Sequence, residues 1–86
     1  MYRIVIPDNV ERQLRKLDKT IQERIFAVLE RIKIRPEDFV EKLVGEPGYK
    51  LRVGDYRIML DILHKDIVIL LLEVGHRKNM YKKHNT

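Results

Sequence analysis

The residues with the most chemical potential are cations that recur at two places late in the chain. The first group is Lys50, Arg52 and Arg57, which flank the pair Gly54-Asp55. A glycine-first pair suits a two-residue hairpin turn, and that turn sets Val53 opposite Tyr56 and Arg52 opposite Arg57. Residues directly opposed across antiparallel strands share a face. One face then holds Leu51, Val53, Tyr56, Ile58, Leu60 and Ile62, and the other holds Lys50, Arg52, Arg57, Met59 and Asp61. Like charges opposed in a sheet are mildly destabilising, so stability alone would rather place an acid against Arg57. Two readings follow: a solvated face with chance clustering, or an anion site suited to RNA phosphates. A three-residue second turn would put Glu73 beside Arg57 on the neighbouring strand and offset part of the repulsion.

The second group is His76-Arg77-Lys78-Asn79-Met80-Tyr81-Lys82-Lys83. It begins where the last apolar run ends, which places its first residues at a sheet rim. If the stretch turns helically, Arg77 and Tyr81 share a face at four-residue spacing. The alternative is a frayed basic terminus, against which the tyrosine argues, because a disordered tail rarely gains from an aromatic. Guanidinium groups stay protonated and can grip two phosphate oxygens at once. RNA brings its own nucleophile, the 2′-hydroxyl, so such a cluster need only stabilise the charged phosphorane and supply a base. A phenol such as Tyr81 is a poor base unless neighbouring cations, here Arg77 and Lys82, favour its phenolate.

Histidine is the commoner ribonuclease base, which makes His76 and His84 competitors for that role. His76 adjoins Arg77 but points elsewhere if the strand direction persists, and His84 stands two residues from the end. Asp61 and Glu73 could form a carboxylate pair, although pairing with Arg57 or Arg52 is the simpler use. Three scattered histidines and no cysteines give no metal-ligand spacing, so neither metal nor other cofactor is expected.

The 86 residues limit the chain to one domain, residues 1–86, with a basic, partly flexible tail over 77–86. Eighteen Lys and Arg against 13 Asp and Glu give a net charge of +5 and a sequence pI near 9.6, which favours a polyanionic partner. The start lacks the longer apolar core of a signal peptide. The longest apolar run, Ile67 to Leu72, is far too short to cross a bilayer. A cytoplasmic location away from membranes is the expectation.

The elements that must position these cations can be read in order. Arg3 to Ile6 reads as a short strand ended by Pro7. Asp8 is a candidate N-cap with Glu11 in capping-box spacing, and Val10, Leu14 and Leu17 follow at helical intervals, giving a helix over 9–17. Thr20 with Glu23 repeats the cap signal. A second helix carries Ile21, Ile25, Val28, Leu29 and Ile32 on one stripe and stops before Pro36. Pro36-Glu37-Asp38 suits a helical turn, with Phe39, Val40 and Leu43 as anchors, and Gly45, Pro47 and Gly48 mark a loop. Tyr49 to Val53, Tyr56 to Leu63 and Ile67 to Val74 read as strands, joined by Gly54-Asp55 and by His64-Lys65-Asp66, with Gly75 ending the last. The expected fold is α+β: an N-terminal strand, an antiparallel helical hairpin, then a three-stranded antiparallel meander completing a four-stranded sheet with the helices on one face.

Leu43-Val44-Gly45, the run Tyr49-Lys50-Leu51-Arg52-Val53-Gly54-Asp55-Tyr56-Arg57-Ile58, and Val74-Gly75-His76-Arg77 with Tyr81 together resemble the RelE toxin superfamily. With the helical hairpin in front, the likeness spans nearly the whole chain. The resemblance implies a toxin of a type II toxin–antitoxin system that enters the ribosomal A site, cleaves translated messenger RNA without a metal, and so inhibits translation. It implies a RelB-like antitoxin wrapped around the toxin, with operator DNA bound through the complex. Carried over position by position, Lys50, Arg52, Arg57 and Arg77 match basic positions around the scissile phosphate, and Tyr81 matches the C-terminal tyrosine proposed as general base. Gly48 stands where some members carry a further lysine, and the Arg77-to-Tyr81 spacing is shorter than usual. Two alternatives stand beside this reading: a ParE-like relative that poisons DNA gyrase, and a catalytically inactive nucleic-acid-binding module, whose binding would be strongly salt-dependent.

Overall fold

Pro7 has no N–H to offer a ladder and a fixed φ that suits helix entry, and the chain changes from strand to helix around it. The computed structural model describes residues 1–78. Strand β1 is Arg3–Val5, and helix α1 is Asp8–Arg15. The cap differs from the expected one. Pro7 occupies the N-cap position, its carbonyl accepts from the N–H groups of Val10 and Glu11 at 3.0 and 2.9 Å, and no side chain caps the end. Asp8 therefore lies inside the first turn, where its charge still suits the helix dipole, and Glu11 reaches forward to Arg15 at 2.7 Å instead of back to a cap. Helix α2, Lys19–Ile32, likewise starts after Asp18 and not at Thr20, with no side-chain cap bond.

The helical stripes do bury as their spacing requires. Val10 and Leu14 of α1 and Ile25, Leu29 and Ile32 of α2 meet Leu51, Val53, Ile58, Leu60, Ile62, Ile69, Leu71 and Val74 of the sheet in one core. A short 3-10 turn, Pro36–Asp38, follows α2. Val40 packs against that core, but Phe39 does not anchor anything: it is 45% exposed.

Strand β2, Glu41–Lys42, was not legible as a strand. It is exposed and only two residues long, too short to show alternation. It makes a fifth strand beside β3 (Tyr49–Val53), which pairs with β4 (Tyr56–Leu63) and β4 in turn with β5 (Val68–His76). The sheet order is β1-β5-β4-β3-β2, antiparallel throughout except for β1 against β5. The helices cover one face, α1 against β5 and α2 against β3. Among the described residues no helix is long and apolar enough to cross a membrane.

Two details move β5 away from its expected register. The second turn spans four residues, His64 to Ile67, with Ile67 in the left-handed region at φ 53. A β-bulge then shifts the pairing once more between Met59 and Leu60. Each adds one residue, so Arg57 lies opposite Gly75, and Glu73, expected beside Arg57, lies opposite Met59. The strand also continues past Gly75 to His76.

Candidate functional site

The β3–β4 hairpin sorts its side chains as its turn requires. Gly54, at φ 60, opens the two-residue turn, Val53 pairs with Tyr56, and Arg52 pairs with Arg57. Leu51, Val53, Ile58, Leu60 and Ile62 are buried on the helix side, and Tyr56 is half-buried there. Lys50, Arg52, Arg57, Met59 and Asp61 take the other side by strand alternation. Lys50 is opposite Met59, so three cations occupy adjacent positions on two neighbouring strands. Met59 is buried although it lies on this outer face, so the basic patch borders an apolar floor and not open solvent alone.

The repulsion between these cations is met from an unexpected side. Glu41, on β2, sets one carboxylate oxygen 3.7 Å from Lys50 Nζ and the other 3.9 Å from Arg52 Nε. Sequence reasoning missed this shared counter-ion because it missed the strand that carries it; an acid nine residues before Lys50, across a loop with Gly45, Pro47 and Gly48, was the available signal. Arg57 also makes a contact of its own.

The third strand completes the arrangement. Opposite Arg57 stands Gly75, which has no side chain to cover it. Two residues on, the Arg77 N–H donates to the carbonyl of Asp55 at 2.9 Å. The backbone of Arg77 is thereby fastened to the turn between Arg52 and Arg57, where the β5 strand ends and the chain turns helically at Arg77 and Lys78. Lys50, Arg52, Arg57 and the anchored backbone of Arg77 thus gather around one hairpin. Tyr81, and with it His84, lies outside the described residues.

The other candidates are placed elsewhere. His76 pairs with Tyr56, and their rings meet edge to face with centroids 5.4 Å apart. Its Nδ1 accepts from the Lys78 N–H at 3.3 Å, so the ring is engaged on the Tyr56 side of the sheet. His64 lies at the far end of β4, bonded through Nδ1 to the Tyr2 hydroxyl at 3.1 Å. Asp61 pairs with Leu70 and turns one oxygen to its neighbour Ile62 N–H at 2.9 Å, while Glu73 pairs with Met59. Among the described residues no group of three or more His, Asp or Glu side chains is placed to hold a metal ion. Chemically, the hairpin offers guanidinium and ammonium donors for an anion, with a glycine opposite Arg57 on the neighbouring strand.

A family model described as the ParE toxin of type II toxin–antitoxin system, parDE, matches residues 4–81. Among solved structures the chain is similar to the archaeal RelE–RelB complex from Pyrococcus horikoshii, with 32% identity over 88% of this chain and 94% of that one and a TM-score of 0.75. It is similar to the intact Escherichia coli RelBE toxin–antitoxin complex at 27% identity, covering 88% and 96% of the two chains with a TM-score of 0.75. The RelBE2 toxin–antitoxin complex from Mycobacterium tuberculosis matches at 26% identity over 88% and 98%, with a TM-score of 0.76. No curated protein sequence gives a significant match.

Proposed function

The chain belongs to the ParE toxin family of type II toxin–antitoxin systems, within the RelE/ParE superfamily, and from its likeness to the RelE members we propose that it is an endoribonuclease that cleaves translated messenger RNA on the ribosome. The observation that carries this reading is the pairing of Arg52 with Arg57 beside Lys50, with Gly75 opposite Arg57 and the Arg77 backbone tied to the same turn. A sheet that opposes two arginines and sets a glycine across from one of them is suited to a phosphodiester.

In this reading the RNA 2′-oxygen attacks the adjacent phosphorus, and the bond from phosphorus to the 5′-oxygen of the next nucleotide breaks. The products are a 2′,3′-cyclic phosphate and a 5′-hydroxyl. Tyr81 takes the 2′-hydroxyl proton and the departing 5′-oxygen gains one from solvent. Lys50, Arg52, Arg57 and Arg77 hold the extra negative charge of the phosphorane, and preorganised donors of this kind each contribute about 3–4 kcal/mol to transition-state stabilisation.

The relatives solved as complexes with RelB antitoxins support a RelB-like antitoxin as partner. A groove between α1 and α2, lined by Ile6, Leu14 and Phe26 and by Glu11, Arg15 and Gln22, offers such a peptide an apolar seat. Operator DNA would be bound through that complex, and the site of action is the cytoplasm.

The test is cleavage of messenger RNA on programmed ribosomes, with the product ends identified. Arg77→Ala should nearly abolish cleavage and Arg57→Ala should lower it about 10²-fold or more, with both proteins folded. Parental rates in both variants would refute the assignment. A second reading, gyrase poisoning, is favoured by the matching family model being that of ParE. Inhibition of gyrase supercoiling with no RNA cleavage would establish it in place of the first.

A further inference from the structure

Beyond Leu70, β5 has no strand along its outer side, because β1 ends with Val5 opposite that residue. One backbone N–H in this uncovered stretch is nevertheless occupied. Val74 N–H donates to the side-chain Oε1 of Gln13, on α1, at 2.8 Å. Gln13 fills the place that a longer β1 would have taken, and it does so with a half-buried side chain 61 residues away in sequence.

The position of this bond matters because it falls just past the β-bulge. If the pairing of Leu60 with Leu71 simply continued, Arg57 would meet Val74 and the alternation of the rest of β5 would be inverted. A one-residue slip turns every following side chain to the other face. Val74, now 5% exposed in the core, would face outward beside Arg57. In the bulged register Arg57 meets Gly75, Tyr56 meets His76, and the Arg77 N–H reaches Asp55.

We infer that Gln13 is a positioning residue: its amide oxygen pins β5 in the shifted register and so holds Gly75 and Arg77 beside Arg57. It touches none of the proposed reacting atoms and acts through the Val74 backbone. The effect on catalysis rests on the ribonuclease reading above; the effect on the strand does not.

Two variants separate the acceptor from the shape. Gln13→Met keeps the length and lacks the acceptor, whereas Gln13→Glu keeps a carboxylate oxygen in the same place. In Gln13→Met, amide hydrogen exchange at Val74 and Arg77 should speed up about fivefold or more, as expected from one lost hydrogen bond, while Leu51 and Ile58 keep parental protection. The same variant should lose about tenfold or more in kcat for RNA cleavage at little change in KM, because a small misplacement of donors is costly. Gln13→Glu should restore both. Parental exchange at both amides in Gln13→Met overturns the inference whatever the cleavage assay gives. Faster exchange at Val74 alone, with Arg77 and kcat unmoved, overturns the positioning role. A parental protein that cuts no RNA sinks the ribonuclease reading instead, and the exchange result at Arg77 then decides the role of Gln13 by itself.

Discussion

Replacing Glu41 with glutamine should strengthen RNA binding, because the residue is a counter-ion that the proposed phosphate must displace. Its carboxylate stands 3.7 Å from Lys50 Nζ and 3.9 Å from Arg52 Nε. At such separations each attraction is about 1 kcal/mol in bulk water. The Glu41 and Arg52 side chains are 61% and 58% exposed, so screening and side-chain entropy reduce each pair to roughly 0.2–1 kcal/mol. Together they amount to about 0.4–2 kcal/mol, or roughly a twofold to thirtyfold gain in affinity when the carboxylate is neutralised. The assay is fluorescence anisotropy with a short 2′-O-methyl RNA, which cannot be cleaved, at about 50 mM salt and again near 0.5 M, where the Debye length is only a few ångströms. The gain should appear at low salt and shrink at high salt. Weaker or unchanged binding of Glu41→Gln at low salt would mean that Lys50 and Arg52 do not meet the RNA.

Three further outcomes can be measured. Tyr81→Phe should cut RNA about 10²–10⁴-fold more slowly if the phenol takes the 2′-hydroxyl proton; a parental rate in single-turnover cleavage assigns the base elsewhere. Ile67 is a β-branched residue at φ 53 and 49% exposed. Ile67→Asn, which tolerates that region, should stabilise the fold by about 0.5–1 kcal/mol, read as a rise of a few degrees in Tm. Gly54→Ala places a Cβ at φ 60 and 3.3 Å from Arg24 Nη2, and should cost about 1–2 kcal/mol in chemical denaturation. Arg24 can swing its flexible end away, so adding Arg24→Ala should recover little of that loss.

Much of the frame was readable without coordinates because local rules decided it. The bounds of β3 and β4 follow from alternation on both sides of a glycine-first turn, and the helical stripes follow from spacing. The pairing of Arg52 with Arg57, the centre of the candidate site, was legible for the same reason. What escaped depends on backbone events with weak sequence marks. A two-residue exposed strand has no period to detect, which hid β2 and with it Glu41. A bulge adds a residue without changing the apolar pattern, which hid the partnership of Arg57 with Gly75. The helix caps were misread because Pro7, with its fixed φ, served as N-cap in place of the more usual Asp8. Gln13 was invisible as anything but a polar helical surface residue, since only the tertiary fold reveals that a strand N–H lacks a neighbour there.

The parallel seam between β1 and β5 ties Arg3 to Val68 and Val5 to Leu70. Bringing such distant segments together costs roughly 3–4 kcal/mol of loop-closure entropy, and no shorter-range contact can stand in for it. During synthesis β1 must therefore wait, unpaired, until β5 has been made. The cations on β3 and β4 emerge before that moment, but the anchoring of Arg77 depends on the same late strand. A nascent chain thus carries an incomplete weapon past the very machine it is proposed to attack, and assembly of the sheet delays the onset of harm until β5 has emerged.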